Sequence, residues 1–438
     1  MRDIALTLFV FGLIPYILMR PYVGLLVWSW FGYMNPHRLC YGFAYSFPWV
    51  QVVAILTFVS IFLNKEMRRI PKSPVSILMI LFFVWTTFTT FFAAETDSAW
   101  QHWNEFSKTL IMVWVTLILV NDRRRMHMLV WLIVVSLGFY GLKGGLFTIL
   151  RGGTQTVFGP AGSFIADNND LAQALCMVLP LMQYLRLHSQ GRLVRVGVGL
   201  SMLVTGVAIL GTYSRGGLVA LAVVSGVLFL KSRRRIALIV VFAALGYVGY
   251  HFMPAPWLER MDTLQHARQV NTLQTRIQSW EFATNVALHH PVVGGGFDVY
   301  KSASMWRNYG PEGAQSRAIH SIYFRVLGEH GFPGLVLFLG LLFASWRSCA
   351  RIRKMTRHSL EQRWAYDLSS MLQVSLIAFM TAGLATTSSY FDLSYQLMAM
   401  CLLLAIITSD QKAKSLVREN AAPALSVASG QKEVAAYQ

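Results

Sequence analysis

Residues 317–334 read RAIHSIYFRVLGEHGFPG and run straight into LVLFLGLLFASW, so a histidine between arginines stands where a polar segment gives way to an apolar one. The apolar side is long enough to enter a bilayer core, which takes about 20 residues as helix. Comparable runs recur at roughly 4–19, 22–34, 48–64, 75–94, 107–120, 127–150, 170–187, 194–213, 216–230, 236–253, 333–349, 369–387 and 393–409. The polar side, 254–332, is the one long interruption. The pattern predicts an all-α, polytopic membrane protein of about 12–13 transmembrane helices with one long, largely helical loop. The first two runs form either a helical pair broken at Arg20-Pro21 or a single crossing. No small-residue cleavage site precedes that break, so the N-terminal run reads as retained membrane segment.

Composition agrees. Hydrophobic residues make up 55% of the 438 and charged ones only 13%, about half the charged share of a soluble domain. The formal charge of +18 would suggest nucleic acid until it is located. Most of it lies in short loops: KEMRRIPK at 65–72, RRR at 123–125, Arg186, Arg192 and Arg195, KSRRR at 231–235, the 347–363 loop, and Lys412, Lys414 and Arg418. Every second loop is basic, as the positive-inside rule produces on a multispanning chain. The charge is therefore topology, and no nucleic-acid partner is implied. The basic loops are expected in the cytoplasm, with 95–106, 151–169, 212–215, 254–332 and 388–392 facing outward. The expected divisions are an N-terminal membrane region (1–120), a membrane core (121–253), an outward loop (254–332), C-terminal membrane helices (333–410) and a disordered cytoplasmic tail (411–438). Four scattered cysteines give neither a disulfide framework nor a zinc site.

The informative cations are those the charge rule leaves unexplained. Arg215 in GTYSRGG stands at the outer end of a span among glycines that would let a ligand approach, and a guanidinium can grip phosphate oxygens in pairs. Its plain alternative is a snorkelling arginine. Arg276 in TRIQSWEFA lies one turn before Trp280, which could stack on a sugar, whereas Arg268 reads as a solvated helix face. Lys143 in YGLKGGL falls inside a span, a costly place for a charge. His320, with Arg317 and Arg325 nearby, is a plausible proton acceptor. His330, just before Gly331 and Pro333, reads as a surface residue. Glu95 and Asp97 form the nearest thing to an acidic metal pair, but arginines neutralising a diphosphate are the simpler reading, with no metal and no cofactor.

In order along one side of the membrane come SFIADNNDLA, TYSRGG, the 254–332 loop, HSIYF and EHGFPG. This series resembles the O-antigen ligase and polymerase superfamily of bacterial membrane glycosyltransferases. The N-terminal RPYVGLLVWSWFGYMNPHRLCYGFAYSFPW resembles a narrower branch, the O-glycosylation ligases associated with exosortase A systems. Two positions depart from the family pattern: Ser321 stands where it has Asn, and DNND where it has N-P-N. The resemblance implies a metal-independent, inverting transfer of a saccharide from undecaprenyl diphosphate to a hydroxyl of a lipid, polysaccharide or protein acceptor. It places that reaction at the periplasmic face of the bacterial inner membrane. It further implies His320 as general base and Arg215 and Arg276 as the diphosphate's partners. Lys143, Asn169, Tyr213, Trp280, Arg317 and Arg325 are the expected substrate-binding residues. A polymerase of the same superfamily is the alternative. A lipid-linked glycan transporter, which should show repeat symmetry and a midplane site, is the third reading.

Overall fold

The computed structural model describes residues 1–66, 72–231, 269–411 and 413. The predicted span at 236–253, Arg260, Arg268 and nearly all of the tail lie outside them. The described residues are helical, without a strand. In chain order the helices are α1 (Arg2–Met19), α2 (Pro21–Met34), α3 (Phe43–Ser46), α4 (Trp49–Leu63), α5 (Pro74–Thr90), α6 (Thr96–Leu119), α7 (Arg123–Leu150), α8 (Asn168–His188), α9 (Arg192–Gly211) and α10 (Arg215–Lys231). They continue with α11 (Gln269–His289), α12 (Ala303–Tyr309), α13 (Ile322–Thr356), α14 (Arg363–Ala382) and α15 (Asp392–Gln411). Among these, α1, α7, α9, α13 and α15 are each long and apolar enough to cross a membrane.

Side chains at the boundaries explain several helix starts. Ser73 and Ser76 cap α5 reciprocally, Asp122 accepts the Arg125 N–H at 2.8 Å to open α7, and Asp167 accepts the Asn169 N–H at 2.8 Å to open α8. Each satisfies a donor that the helix leaves unpaired. In lipid, helices gain little from burying apolar surface against one another, so small residues that permit close approach decide the contacts. The YGLKGGL stretch shows this: a Cβ on Gly141 would sit 2.4 Å from the Thr205 hydroxyl, and one on Gly145 would sit 2.1 Å from the Val204 carbonyl. Those glycines are the seam between α7 and α9.

The contacts sort the loops onto two ends. At one end Arg125 pairs with Glu66 at 3.1 Å, His188 with Asp367 at 3.1 Å, and Lys231 with the Ser370 hydroxyl at 2.6 Å. This is the basic end. At the other, Ala94 N–H donates to Gly295, Val157 N–H to Gly211, and Ile322 N–H to Gly383, all within 3.0 Å. The first two helices form a hairpin. Asp3 accepts the Gly42 N–H at 3.0 Å at the far end, while the Leu18 carbonyl accepts from Asn64 at 2.8 Å at the basic end. The helical pair is thus the arrangement found, with Pro21 opening its second arm.

Two helices start earlier than hydropathy suggested. α6 begins at Thr96 rather than near 107, and α13 at Ile322 rather than 333. In both, the extra turns are polar residues that find partners inside the protein.

Candidate active site

The HGFPG segment divides α13. Gly331 has φ 66 and ψ −171, a conformation essentially confined to glycine, and its neighbour Pro333 cannot donate. The kink frees the His330 carbonyl, which accepts the Trp85 indole N–H at 3.0 Å. The glycine turn of PVVGGGFDVY docks on this joint: Gly295 N–H donates to Gly328 at 2.9 Å, Gly296 N–H to Glu329 at 2.8 Å, and Phe332 N–H to Pro291 at 2.9 Å. A Cβ on Gly296 would lie 2.3 Å from that of Ala93, so the approach requires glycine.

Charges lock the same joint. Arg325 Nε donates to Glu329 at 3.0 Å, and its terminal nitrogens to the Thr387 carbonyl at 2.6 Å and to Asp298 at 3.2 Å. Glu329 also accepts from the Tyr390 hydroxyl at 2.6 Å, and Asp298 from Ser98 and Lys301, each at 2.7 Å, with His102 Nδ1 3.1 Å away. Burial pushes the Asp298 carboxyl up. The hydrogen bond and charge of His102 and the charges of Arg325 and Lys301 outweigh it, holding the group well below the usual carboxylate range.

A second lock joins the other two motifs. The Asn168 amide donates to the Thr212 carbonyl at 2.8 Å, and the Ser214 hydroxyl to the Asn169 carbonyl oxygen at 2.8 Å. Ser214 in turn accepts the Gly217 N–H at 3.1 Å. Between them Tyr213 takes φ 54, unusual for a side-chain-bearing residue, and its hydroxyl donates to the Gly153 carbonyl. These bonds fix the residue that opens α10, which is Arg215.

On this scaffold lies a cleft of about 390 Å³ lined by Thr275, Arg276, Gln315, Ser316, Arg317 and His320. His320 is half-buried, just ahead of α13. Below it the Trp280 indole N–H donates to the His320 carbonyl at 3.4 Å, and the Trp280 ring stacks on Phe324 with centroids 5.2 Å apart. Burial, then the charges of Arg276 and Arg325, lower the His320 pKa, while Asp167 pulls it upward. Arg276 is lowered by burial and by the neighbouring Arg215, again opposed by Asp167. Neither Arg215 nor Arg276 forms an ion pair with a described residue. The cleft thus combines an imidazole whose pKa is lowered with the Arg276 guanidinium, and the charge of Arg215 reaches Arg276 from the start of α10. Such a set can accept a proton at one point and hold a polyanion at another.

The structure therefore brings His320, Arg276 and Arg317 together, with Arg215 in electrostatic reach of Arg276. It places the other expected substrate residues elsewhere. Arg325 is buried, its donors consumed by the joint. Lys143 is exposed on α7, off the glycine seam, with no contact to the cleft among the described residues. Asn169 and Tyr213 are engaged in holding the α9–α10 turn, and Trp280 packs beneath the histidine rather than offering an unobstructed ring. His330 is the clearest correction. It is fully buried, its Nδ1 2.7 Å from the Thr89 hydroxyl, because the glycine turn closes over the kink. Glu95 and Asp97 lie at the start of α6, and no group of three His, Cys, Asp or Glu among the described residues is placed to hold a metal. Sequence reading missed Asp167, the carboxylate that shares the field of His320 and Arg276. In sequence it is one letter of DNND, and nothing local marked its distant neighbours.

Comparison with known families divides the chain in two. Residues 1–190 match a family of unknown function (DUF5935). Residues 200–339 match the family described as O-Antigen ligase, and this stretch includes Arg215, Arg276, His320 and the kinked joint. No curated protein sequence matches the chain. Residues 200–339 thus form a domain that matches the O-antigen ligase family, which supports the O-antigen ligase and polymerase superfamily for this part of the chain.

Proposed function

We propose that this protein is a glycan ligase. It transfers a saccharide from a polyprenyl diphosphate carrier, undecaprenyl diphosphate in a bacterial inner membrane, to an acceptor hydroxyl at the periplasmic face. The observation that carries the reading is the pairing of His320 with the Arg276 guanidinium in one cleft, with Arg215 close enough for its charge to act on Arg276.

The chemistry follows from these groups. The acceptor hydroxyl gives its proton to a His320 ring nitrogen, and its oxygen attacks the anomeric carbon from the face opposite the diphosphate. The anomeric C–O bond breaks, its electron pair leaves with the carrier diphosphate, and the configuration inverts. Arg276 and Arg215 bind the charge that builds on the departing oxygen, so no general acid is needed. Losing one such donor typically slows a reaction by about 100- to 1000-fold, and losing the base by about 100- to 10,000-fold. Because the cleft opens where α11 and α13 meet the membrane end, a lipid tail could stay in the bilayer while its headgroup reacts.

The test is direct. Purified protein in lipid nanodiscs is incubated with a defined polyprenyl-diphosphate oligosaccharide and candidate acceptors in the presence of a chelator, and products are identified by mass spectrometry. Transfer to a lipid, protein or polysaccharide hydroxyl supports a ligase. Elongation of the carrier-linked glycan indicates the polymerase instead, and release of neither product refutes both. Neighbouring exosortase and polysaccharide-export genes would support the narrower branch.

A further inference from the structure

The segment matching the family of unknown function carries a cation that the proposed reaction does not use. Asn35, Pro36, His37, Arg38, Leu39 and Cys40 form a tight turn between α2 and α3. The turn is pinned from several sides. The Tyr140 hydroxyl donates to the Met34 carbonyl, Asn35 takes φ 48 with its amide on the Gly32 carbonyl at 2.9 Å, and Cys40 N–H donates to the His37 carbonyl at 3.1 Å.

On this frame the Arg38 guanidinium lies over the Tyr45 ring at 4.9 Å and against the backbone of the 151–167 loop, where a Cβ on Gly162 would sit 3.2 Å from its central carbon. Its Nε is buried without a partner, and none of its donors meets an acceptor among the described residues. The adjacent His37 Nδ1 is also buried and unpartnered, its ring 5.7 Å from that of Phe31. Consecutive buried polar groups lacking partners call for an explanation, since such groups are almost always hydrogen-bonded. Leaving a buried donor unpaired costs about 1–3 kcal/mol, more when charged. Arg38 is half-buried: its Nε is enclosed, while its terminal nitrogens, without a hydrogen bond among the described residues, stay accessible beside the Tyr45 ring and Gly162. Arg38 forms no ion pair with a described residue, the nearby Asp3 being spent on the Gly42 and Ala44 N–H groups, and burial and the Arg38 charge lower the His37 pKa to about 4.

We infer that Arg38, backed by Tyr45 and flanked by neutral His37, is a second oxyanion site that takes a phosphate or carboxylate group. It stands across the 151–167 loop from the His320 cleft, at the same end of the bundle. Two sources present that chemistry there, an anionic lipid headgroup and an acidic sugar. The inference does not depend on the transfer reaction, because it concerns binding at a separate place.

The experiment uses the full chain in nanodiscs. One arm measures retention of phosphatidylglycerol by native mass spectrometry after exchange from phosphatidylcholine. The other measures binding of a glucuronate-containing oligosaccharide by calorimetry in phosphatidylcholine discs. Wild type should bind one probe, and Arg38→Gln should weaken that binding by roughly ten- to a hundredfold, as loss of hydrogen bonds to a charged group does. Arg215→Gln should leave it unchanged. Tyr45→Leu, which keeps the guanidinium but removes its backing, should weaken it less and serves should Arg38→Gln not fold. Binding of neither probe by wild type, or equal binding by both variants, overturns the inference. Loss with Arg215→Gln rather than Arg38→Gln assigns the binding to the cleft and also overturns it.

Discussion

Replacing Arg325 by methionine should destabilise this protein and not merely silence it. Sequence alone makes Arg325 look like a substrate ligand, five residues after His320. The structure instead gives it charged bonds to Glu329 at 3.0 Å and Asp298 at 3.2 Å, and a bond to the Thr387 carbonyl at 2.6 Å. Glu329 is 0% exposed and Asp298 3%. Methionine fills similar space but leaves Glu329 with only the Tyr390 hydroxyl and the Asp298 N–H as donors. Breaking a buried pair from one side costs about 3–5 kcal/mol, a large part of the roughly 5–15 kcal/mol that stabilises a typical domain. In a chain of 438 residues the melting temperature should fall by about 3–5 °C. Thermal unfolding in detergent, followed by tryptophan fluorescence and checked by size exclusion, reads this directly. Arg325→Met combined with Glu329→Met should recover part of the loss, because both buried charges then disappear together. Wild-type melting of Arg325→Met with loss of turnover alone would return the residue to the substrate and refute the reasoning.

Other outcomes separate the cleft from its frame. His320→Ala should abolish transfer while donor binding and melting temperature stay near wild type; near-normal turnover removes it as the base. Arg215→Lys keeps the charge but not the paired grip, and should lower turnover at least about tenfold, with full activity counting against bidentate binding. Because His320 acts neutral and its pKa lies below the usual 6.5, activity should be full at neutral pH and fall as pH drops through that lowered value. The same group binds protons better unfolded, so it removes stability over the same acidic window. Arg276→Gln should move the acid limb to higher pH and Asp167→Asn to lower pH, and a limb indifferent to both would show that another group titrates. Gly331→Ala should destabilise by more than about 1–3 kcal/mol, given its backbone conformation and a Cβ only 2.5 Å from the Val292 carbonyl, measured by the same melts.

Much of the frame was legible because lipid imposes it. Apolar runs marked the helices among the described residues, and the Arg125–Glu66, His188–Asp367 and Lys231–Ser370 contacts gather basic loops at one end. What hydropathy could not show was where a polar turn still belongs to a helix, as at Thr96 and Ile322, since that depends on partners distant in the chain. The same reason explains the site. His320, Arg276 and Arg215 carry local oddity, charge on the side where charge is unexpected, and that oddity is what made them candidates. Arg325 carries the same oddity but has Asp298, Glu329 and Thr387 to satisfy it, and nothing within its own stretch reveals Asp298. His330 misled for a related reason: a histidine before glycine and proline looks like a turn, and only the docked glycine loop buries it.

The guanidiniums of Arg215 and Arg276 lie in one another's field with neither in an ion pair to a described residue, and Asp167 offsets only part of their repulsion. Any small multivalent anion relieves that repulsion, whether or not it carries sugar or lipid. Sulfate, pyrophosphate and concentrated phosphate buffer should therefore act as competitors and, equally, as thermal stabilisers. Kinetics recorded in such media would understate the affinity for donor, and a purification that relies on them would deliver protein whose cleft is already occupied.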